Sequence, residues 1–282
     1  MTSPVSARAW VRCDSKTGNQ MRLLITAILL STSTPALAQG APGTNLTVDV
    51  TVSSITFRGD TAVVSYVLHN RSSSTEQLFT FIVDAPATPT KVTRPQPVAD
   101  WVTQLRYRTR SVASWTVLGN ELMPGEQSPA LVFEAEGLPK PVTYWYRGYT
   151  PPPKLTQADT APVVPPSDPL TQNSVVGTGV GIEPLPNPRT AAGLLGRLRG
   201  LLDQGCAAPL LWITDSAVCT HLGAKLDSAS QRLSVPDTAG TRRKIRNFIA
   251  ELGVQHGTGQ PVTDSAYWML KANAEYILAR AL

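Results

Sequence analysis

The stretch "LTVDVTVSSITFRGDTAVVSYVLHN", Leu46 to Asn70, decides the fold class of the first half of the chain. Leu46, Val48, Val50 and Val52 alternate with Thr47, Asp49 and Thr51, the period of a strand with one buried face. Gly59-Asp60 then separates two apolar runs, a hairpin cue, and Val64, Tyr66 and Leu68 resume the alternation. The tripeptide "RGD" at Arg58–Asp60 is read as that turn rather than as a recognition sequence. Working outward, "EQLFTFIVDAP", "WVTQLRYRTR", "SWTVLG", "PALVFEAEGLP" and "VTYWYRGY" are further short runs rich in β-branched and aromatic residues. Pro, Gly, Asn or Ser separates them, and no helical segment intervenes, so antiparallel pairing is expected. Seven or eight strands within residues 39–149 predict an antiparallel β-sandwich, immunoglobulin-like in strand count.

Residues 150–188 change character. "TPPPKLTQADTAPVVPPSDP" and "EPLPNP" predict an extended Pro-rich linker. Within it, Gly177, Gly179 and Gly181 resemble a phosphate loop only superficially, because no strand leads in and no helix follows directly. From residue 189 to 282 the apolar period becomes helical. Leu194, Leu195, Leu198, Leu201 and Leu202 share a face of a first helix that Gly205 closes. Val218, Leu222, Leu226, Ala229 and Leu233 mark a second, capped by Thr214 or Asp215. Asp237 or Thr241 starts a third, with Ile245, Phe248, Ile249 and Leu252 inward and Gly257 and Gly259 ending it. Thr263 caps a fourth, with Ala266, Met269, Leu270 and Ile277 inward. The expectation is a multidomain chain, β then α: a sandwich, a linker and a small four-helix bundle.

Leu222, Lys225, Leu226 and Ala229, then Phe248, Ile249 and Leu252, then Gly257 and Gly259, then Leu270, Ala274, Ile277 and Leu278 form an ordered pattern. In it, residues 190–282 resemble the FIMAH domain, a helical module near the C-termini of secreted bacterial proteins. The resemblance implies an extracellular interaction role without catalysis.

The N-terminal end points to export. Met21-Arg22, the apolar run Leu23 to Leu30 and small residues at Ala36 and Ala38 have the form of a signal peptide cleaved between Ala38 and Gln39. Residues 1–38 form a leader on this reading, with Met21 the better start, and the apolar run is too short to span a bilayer. Without the leader, Arg8, Arg12, Lys16, Arg22 and Asp14 are lost, so 25 basic and 20 acidic residues become 21 and 19. A net charge of +2 is not the strongly basic balance of a nucleic-acid binder.

Cys206 and Cys219 are the cysteines of the mature chain, thirteen positions apart, with His221 two beyond. A zinc site needs a fourth ligand that nothing nearby supplies, and a redox pair is more typically C-x-x-C. In an exported protein a structural disulfide is expected, with unpaired buried thiols as the alternative. His69, His221 and His256 form no zinc motif, and no G-x-S-x-G nucleophile motif occurs. Glu134 and Glu136 share one strand face, which reads as an exposed face more than as a catalytic pair.

Two patterns are candidates for ligand binding. Arg106, Arg108 and Arg110 would project from one face of a continuous strand and grip an anionic polymer, or form a solvated outer face. Trp145 would stack on a sugar or partner if exposed, or anchor the sandwich core if buried. Together these features predict a secreted or periplasmic, non-catalytic binding protein. Its expected partner is an extracellular protein or a cell-surface polymer, with no catalytic residue, cofactor, metal or membrane span in the mature chain. The alternatives are a secreted hydrolase with a dispersed active site and a structural envelope subunit.

Overall fold

The alternation in Leu46–Asn70 becomes a hairpin of β1 (Val48–Arg58) and β2 (Thr61–Asn70), paired antiparallel from Val48↔Asn70 to Arg58↔Thr61. Gly59 makes the turn with φ +67°. A bulge between Val52 and Ser54 inserts one residue, so the inward parity changes along β1. Val52 and Ile55, three apart, are therefore both 1% exposed. These elements belong to a computed structural model that describes residues 45–95, 101–119, 121–149 and 174–282. The leader, the cleavage position Ala38–Gln39 and residues 150–173 of the Pro-rich stretch lie outside the described residues.

The remaining strands are β3 (Gln77–Asp84), β4 (Pro89–Thr93), β5 (Trp101–Tyr107), β6 (Arg110–Val117), β7 (Leu131–Glu136), β8 (Leu138–Tyr149) and β9 (Val175–Glu183). They form two antiparallel sheets, in the orders β1-β2-β7-β4 and β5-β6-β3-β8-β9. Between the sheets Phe81 stacks on Trp115 at 6.0 Å, and Tyr66 and Phe133 meet them edge-on at 5.4 and 6.4 Å. The β-sandwich expected from the alternation is present.

β9 corrects the linker expectation, because residues 175–183 are sheet rather than spacer. It pairs with β8 from Leu138↔Glu183 to Tyr146↔Val175. Its glycines serve close approach: a Cβ on Gly177 would lie 2.3 Å from the Tyr144 ring, and one on Gly179 would lie 2.9 Å from it. Pro139 and Pro141 of β8 sit opposite Ile182 and Val180, the register at which β9 turns its N–H and C=O away from β8. Tyr66, from the other sheet, satisfies that edge. Its hydroxyl donates to the Val180 carbonyl and accepts from the Val180 N–H at 2.8 Å.

Four helices follow: α1 (Ala191–Cys206), α2 (Ser216–Ser234), α3 (Thr238–Val254) and α4 (Asp264–Arg280). Asp215 caps α2 through Ala217 N–H at 2.7 Å, Asp237 caps α3 through Gly240 N–H at 2.8 Å, and Thr263 caps α4. Caps of this kind are each worth about 1 kcal/mol. Cys206 and Cys219 are joined by a disulfide, Cα atoms 6.1 Å apart, that links the end of α1 to the first turn of α2.

The helices are not held off from the sandwich by a spacer. Residues of both belong to one continuous apolar core, and α4 packs against β1, β8 and β9. The physical reason lies in α4, whose apolar residues run round most of its circumference. One face meets the other helices, and another meets Ile55 and Phe57 of β1. A polar knot fastens the same junction. The Arg197 guanidinium of α1 donates to Glu183 of β9 at 2.6 Å, to the Pro139 carbonyl of β8 at 3.0 Å and to Asn273 Oδ1 of α4. Asn273 Nδ2 also donates to the Pro139 carbonyl at 3.0 Å. Burial pulls the Arg197 pKa down despite the Glu183 carboxylate beside it, the mark of a desolvated charge.

Candidate ligand site at the junction of β1 and α4

Trp268, Lys271 and Glu275 recur at i, i+3 and i+7, so one side of α4 carries an aromatic ring followed by a cation and an acid. That side faces β1 just beyond its bulge, where Phe57 and Thr56 precede the Gly59 turn. Between them lies a cavity of about 330 Å³, lined by Phe57, Trp268, Lys271, Glu275, Tyr276 and Arg280. The Phe57 and Tyr276 rings meet at 5.1 Å. The volume falls at the lower end of the range of small-molecule pockets, and junctions between structural units are a favoured place for them.

The polar groups are arranged around aromatic walls. Lys271 Nζ sits 5.4 Å from the centre of the Trp268 ring and 2.7 Å from Glu275 Oε1. Tyr276 donates its hydroxyl to Asp60 Oδ1 at 3.0 Å, while Arg189 holds the other Asp60 oxygen. Burial pushes the Asp60 carboxyl up, but hydrogen bonds from Arg189 and Tyr276, with the charges of Arg189 and Arg280, outweigh it and hold the pKa below its ordinary value. The Tyr276 phenol is shifted upward by burial first and then by its bond to the Asp60 carboxylate. The turn end of the hairpin is thus clamped to α4, which fixes the cavity wall.

A second, wider cleft of about 800 Å³ runs along the N-terminal half of β1, lined by Asp49, Thr51, Ser53, His69, Gln127 and Tyr144 among others. It is more open to solvent, and its charged group is already engaged: Arg71 Nε lies 2.9 Å from both Asp49 oxygens, with His69 at 3.6 Å. The Arg71 hydrogen bond is the chief reason the Asp49 pKa lies below its usual value. The Tyr144 phenol is pushed up to about 12 by burial, then by Tyr146 and Asp49.

The residues singled out from sequence lie elsewhere. Trp145 is 6% exposed, packed with Ile82, Val112 and Tyr107, and Arg110 lies over its ring at 5.9 Å. Its ring is thus covered within the chain, the buried alternative, but in a small cluster apart from the core between the sheets rather than in that core. The arginine row is corrected too. β5 ends at Tyr107, Arg108 has φ +54° in the turn, and Arg110 opens β6, so Arg106, Arg108 and Arg110 straddle a hairpin rather than line one strand.

Glu134 pairs with Arg58 and Lys91, each at 3.5 Å, whereas Glu136 meets Arg189 at 3.8 Å. The two carboxylates thus enter separate ion pairs. His256 stacks on Tyr267 at 4.0 Å and bonds Asp264 at 2.6 Å. Phe57, Trp268, Lys271, Tyr276 and Arg280 were not singled out from sequence. The available signal was Trp268, a large aromatic off the inward stripe of Ala266, Met269, Leu270 and Ile277.

No family model matches the chain, and no curated protein matches it. A solved structure described as an uncharacterized protein from Nocardia farcinica with an immunoglobulin-like fold covers 47% of this chain and 96% of its own. The two share 15% identity with a TM-score of 0.24. At that score the likeness decides nothing, and the fold class rests on the two antiparallel sheets and four helices themselves.

Proposed function

We propose that this is an exported, non-catalytic binding protein that takes a small ligand with an apolar ring and polar substituents into the junction cavity. The observation that carries the reading is the aromatic wall of Phe57, Trp268 and Tyr276 with Lys271, Glu275 and Arg280 at its margin. Such a wall provides stacking and hydrogen bonding. The signal-peptide pattern of residues 21–38 supports export, as does a disulfide, which an oxidising compartment sustains. The likeness of residues 190–282 to the FIMAH module supports an extracellular interaction role. No helix among the described residues is long and apolar enough to cross a membrane.

The test is a thermal-shift and tryptophan-fluorescence screen of the protein lacking residues 1–38 against soluble glycans and ring-bearing organic acids. A saturable hit is expected to weaken roughly thirtyfold in Trp268→Ala, about 2 kcal/mol for an aromatic anchor, with circular dichroism confirming that the free variant is folded at the assay temperature. A hit indifferent to Trp268→Ala and to Phe57→Ala would place the ligand elsewhere. Turnover of a hit, abolished by one Asp, Glu or Ser substitution, would replace binding with hydrolysis.

A further inference from the structure

A third cavity lies between α2 and α3. His221, Ala224, Lys225 and Ser228 of α2 fall at i, i+3, i+4 and i+7, and Lys244 and Asn247 of α3 face them. The cavity, about 340 Å³ in volume, is open to solvent on one side. Its base is small, since Ala224 and Ser228 contribute little side chain, and Ser228 keeps its hydroxyl on the Ala224 carbonyl at 2.8 Å.

The walls are cationic. Lys225 Nζ is loosely matched to Glu251 at 3.7 Å, and that carboxylate also accepts from Gln255 at 3.3 Å. Among the described residues, no carboxylate lies within ion-pair distance of Lys244. Lys225 and His221 of one helix and Lys244 and Asn247 of the other thus line one concave space, with no carboxylate in its lining. A cleft lined by one sign of charge concentrates the potential it presents to a counter-ion.

We infer that the α2–α3 cleft binds a phosphate monoester, with Lys225 and Lys244 as the charge-bearing ligands and Asn247 and His221 as further hydrogen-bonding groups. A monoester carries close to two negative charges at neutral pH, which matches two lysines. Its tetrahedral oxygens suit point charges arriving from different directions, whereas a planar carboxylate is better met by the fork of a single arginine. The volume accommodates the phosphate together with the small alcohol or sugar that it esterifies. The site is independent of the junction cavity and of any ligand there.

The experiment is calorimetric titration of the protein lacking residues 1–38 with glycerol 3-phosphate at physiological salt, alongside sedimentation with phosphatidylcholine vesicles with and without phosphatidylglycerol. Expected are saturable binding of the soluble monoester and amide shifts confined to residues around Ala224, Ser228 and Asn247. Lys225→Gln and Lys244→Gln should each weaken binding at least about tenfold, the size of one charge-assisted hydrogen bond. Glu251→Gln should tighten it several-fold by releasing Lys225. Both lysines are half-buried, and melting of each variant measured alongside separates loss of binding from loss of fold.

Titration indifferent to the two lysine variants would overturn the assignment, as would the absence of saturation. Sedimentation with phosphatidylglycerol vesicles without binding of the soluble ester would replace it with a lipid surface. Trp268→Ala is expected to leave phosphate binding unchanged, so failure of the junction-cavity reading and failure of this one are separable.

Discussion

Arg197 is the residue whose replacement bears most directly on how the two halves of the molecule are joined. In Arg197→Met the aliphatic stem is kept while the guanidinium is lost. Glu183 loses its 2.6 Å partner but retains Lys140 at 3.2 Å and some contact with water, so the cost there is about 1 kcal/mol. Pro139 keeps the Asn273 amide. Asn273, 3% exposed, is left with Oδ1 unpaired, which costs about 1–3 kcal/mol. The sum is about 2–4 kcal/mol, and with a urea slope near 3 kcal/mol/M for a chain of this size the midpoint should fall by about 1 M. In a Trp212→Phe, Trp268→Phe background lacking residues 1–38, the remaining Trp101, Trp115 and Trp145 report the sandwich by fluorescence, and far-UV circular dichroism reports the helices. Because one core runs through both, the two probes should give a single coincident transition that moves as a whole. Separate transitions in that background with Arg197 intact, or a shift confined to the helical signal, would refute the single cooperative unit.

Three other outcomes are expected. Replacing Cys206 and Cys219 together by Ser should cost about 3 kcal/mol on the chain-entropy estimate, and reducing agent should lower the melting temperature of the unaltered protein while leaving that of the double variant unmoved. Tyr66→Phe leaves the Val180 N–H and C=O without their partner, for a loss of about 2–4 kcal/mol and faster hydrogen exchange at the Val180 amide. Asp60 has its folded-state pKa lowered, so its contribution is complete above the ordinary aspartate value of about 3.9 and is lost as pH falls through the lower one. Asp60→Asn should flatten that part of the acid limb in a melting-temperature series, and an acid limb identical in the two proteins would show that the clamp contributes nothing.

Three of the helices were legible from their own start signals, whereas the Thr190 cap of α1 was not singled out. Asp215, Asp237 and Thr263 stand where a cap must stand, and the apolar stripes that follow are locally complete. The features that sequence did not reveal depend on distant partners. The glycines that make "VVGTGVGIE" look like a loop are required by the Tyr144 ring lying across β9, a contact no local window contains. The hairpin at Arg108 uses a positive φ without glycine or asparagine, so an uninterrupted strand was the natural reading of the arginines. Phe57 and Trp268 meet only because α4 returns to β1. The sole local hint was a helix apolar on more sides than one core needs.

Strand order also has a consequence for the chain as a covalent object. β9 lies beyond the Pro-rich stretch in sequence, yet its ladder with β8, its bond to Tyr66 and the Arg197 knot all cross back to the sandwich. The second half of the chain donates the strand that completes the first. Ending the chain at Tyr149 removes that strand. It bares the long edge of β8, leaves the Tyr66 hydroxyl buried without its partner, and creates the kind of open sheet margin on which chains add to one another. The sandwich is finished by the helical half, and for this protein the division into domains follows the hydrogen-bond ladder rather than the order of residues.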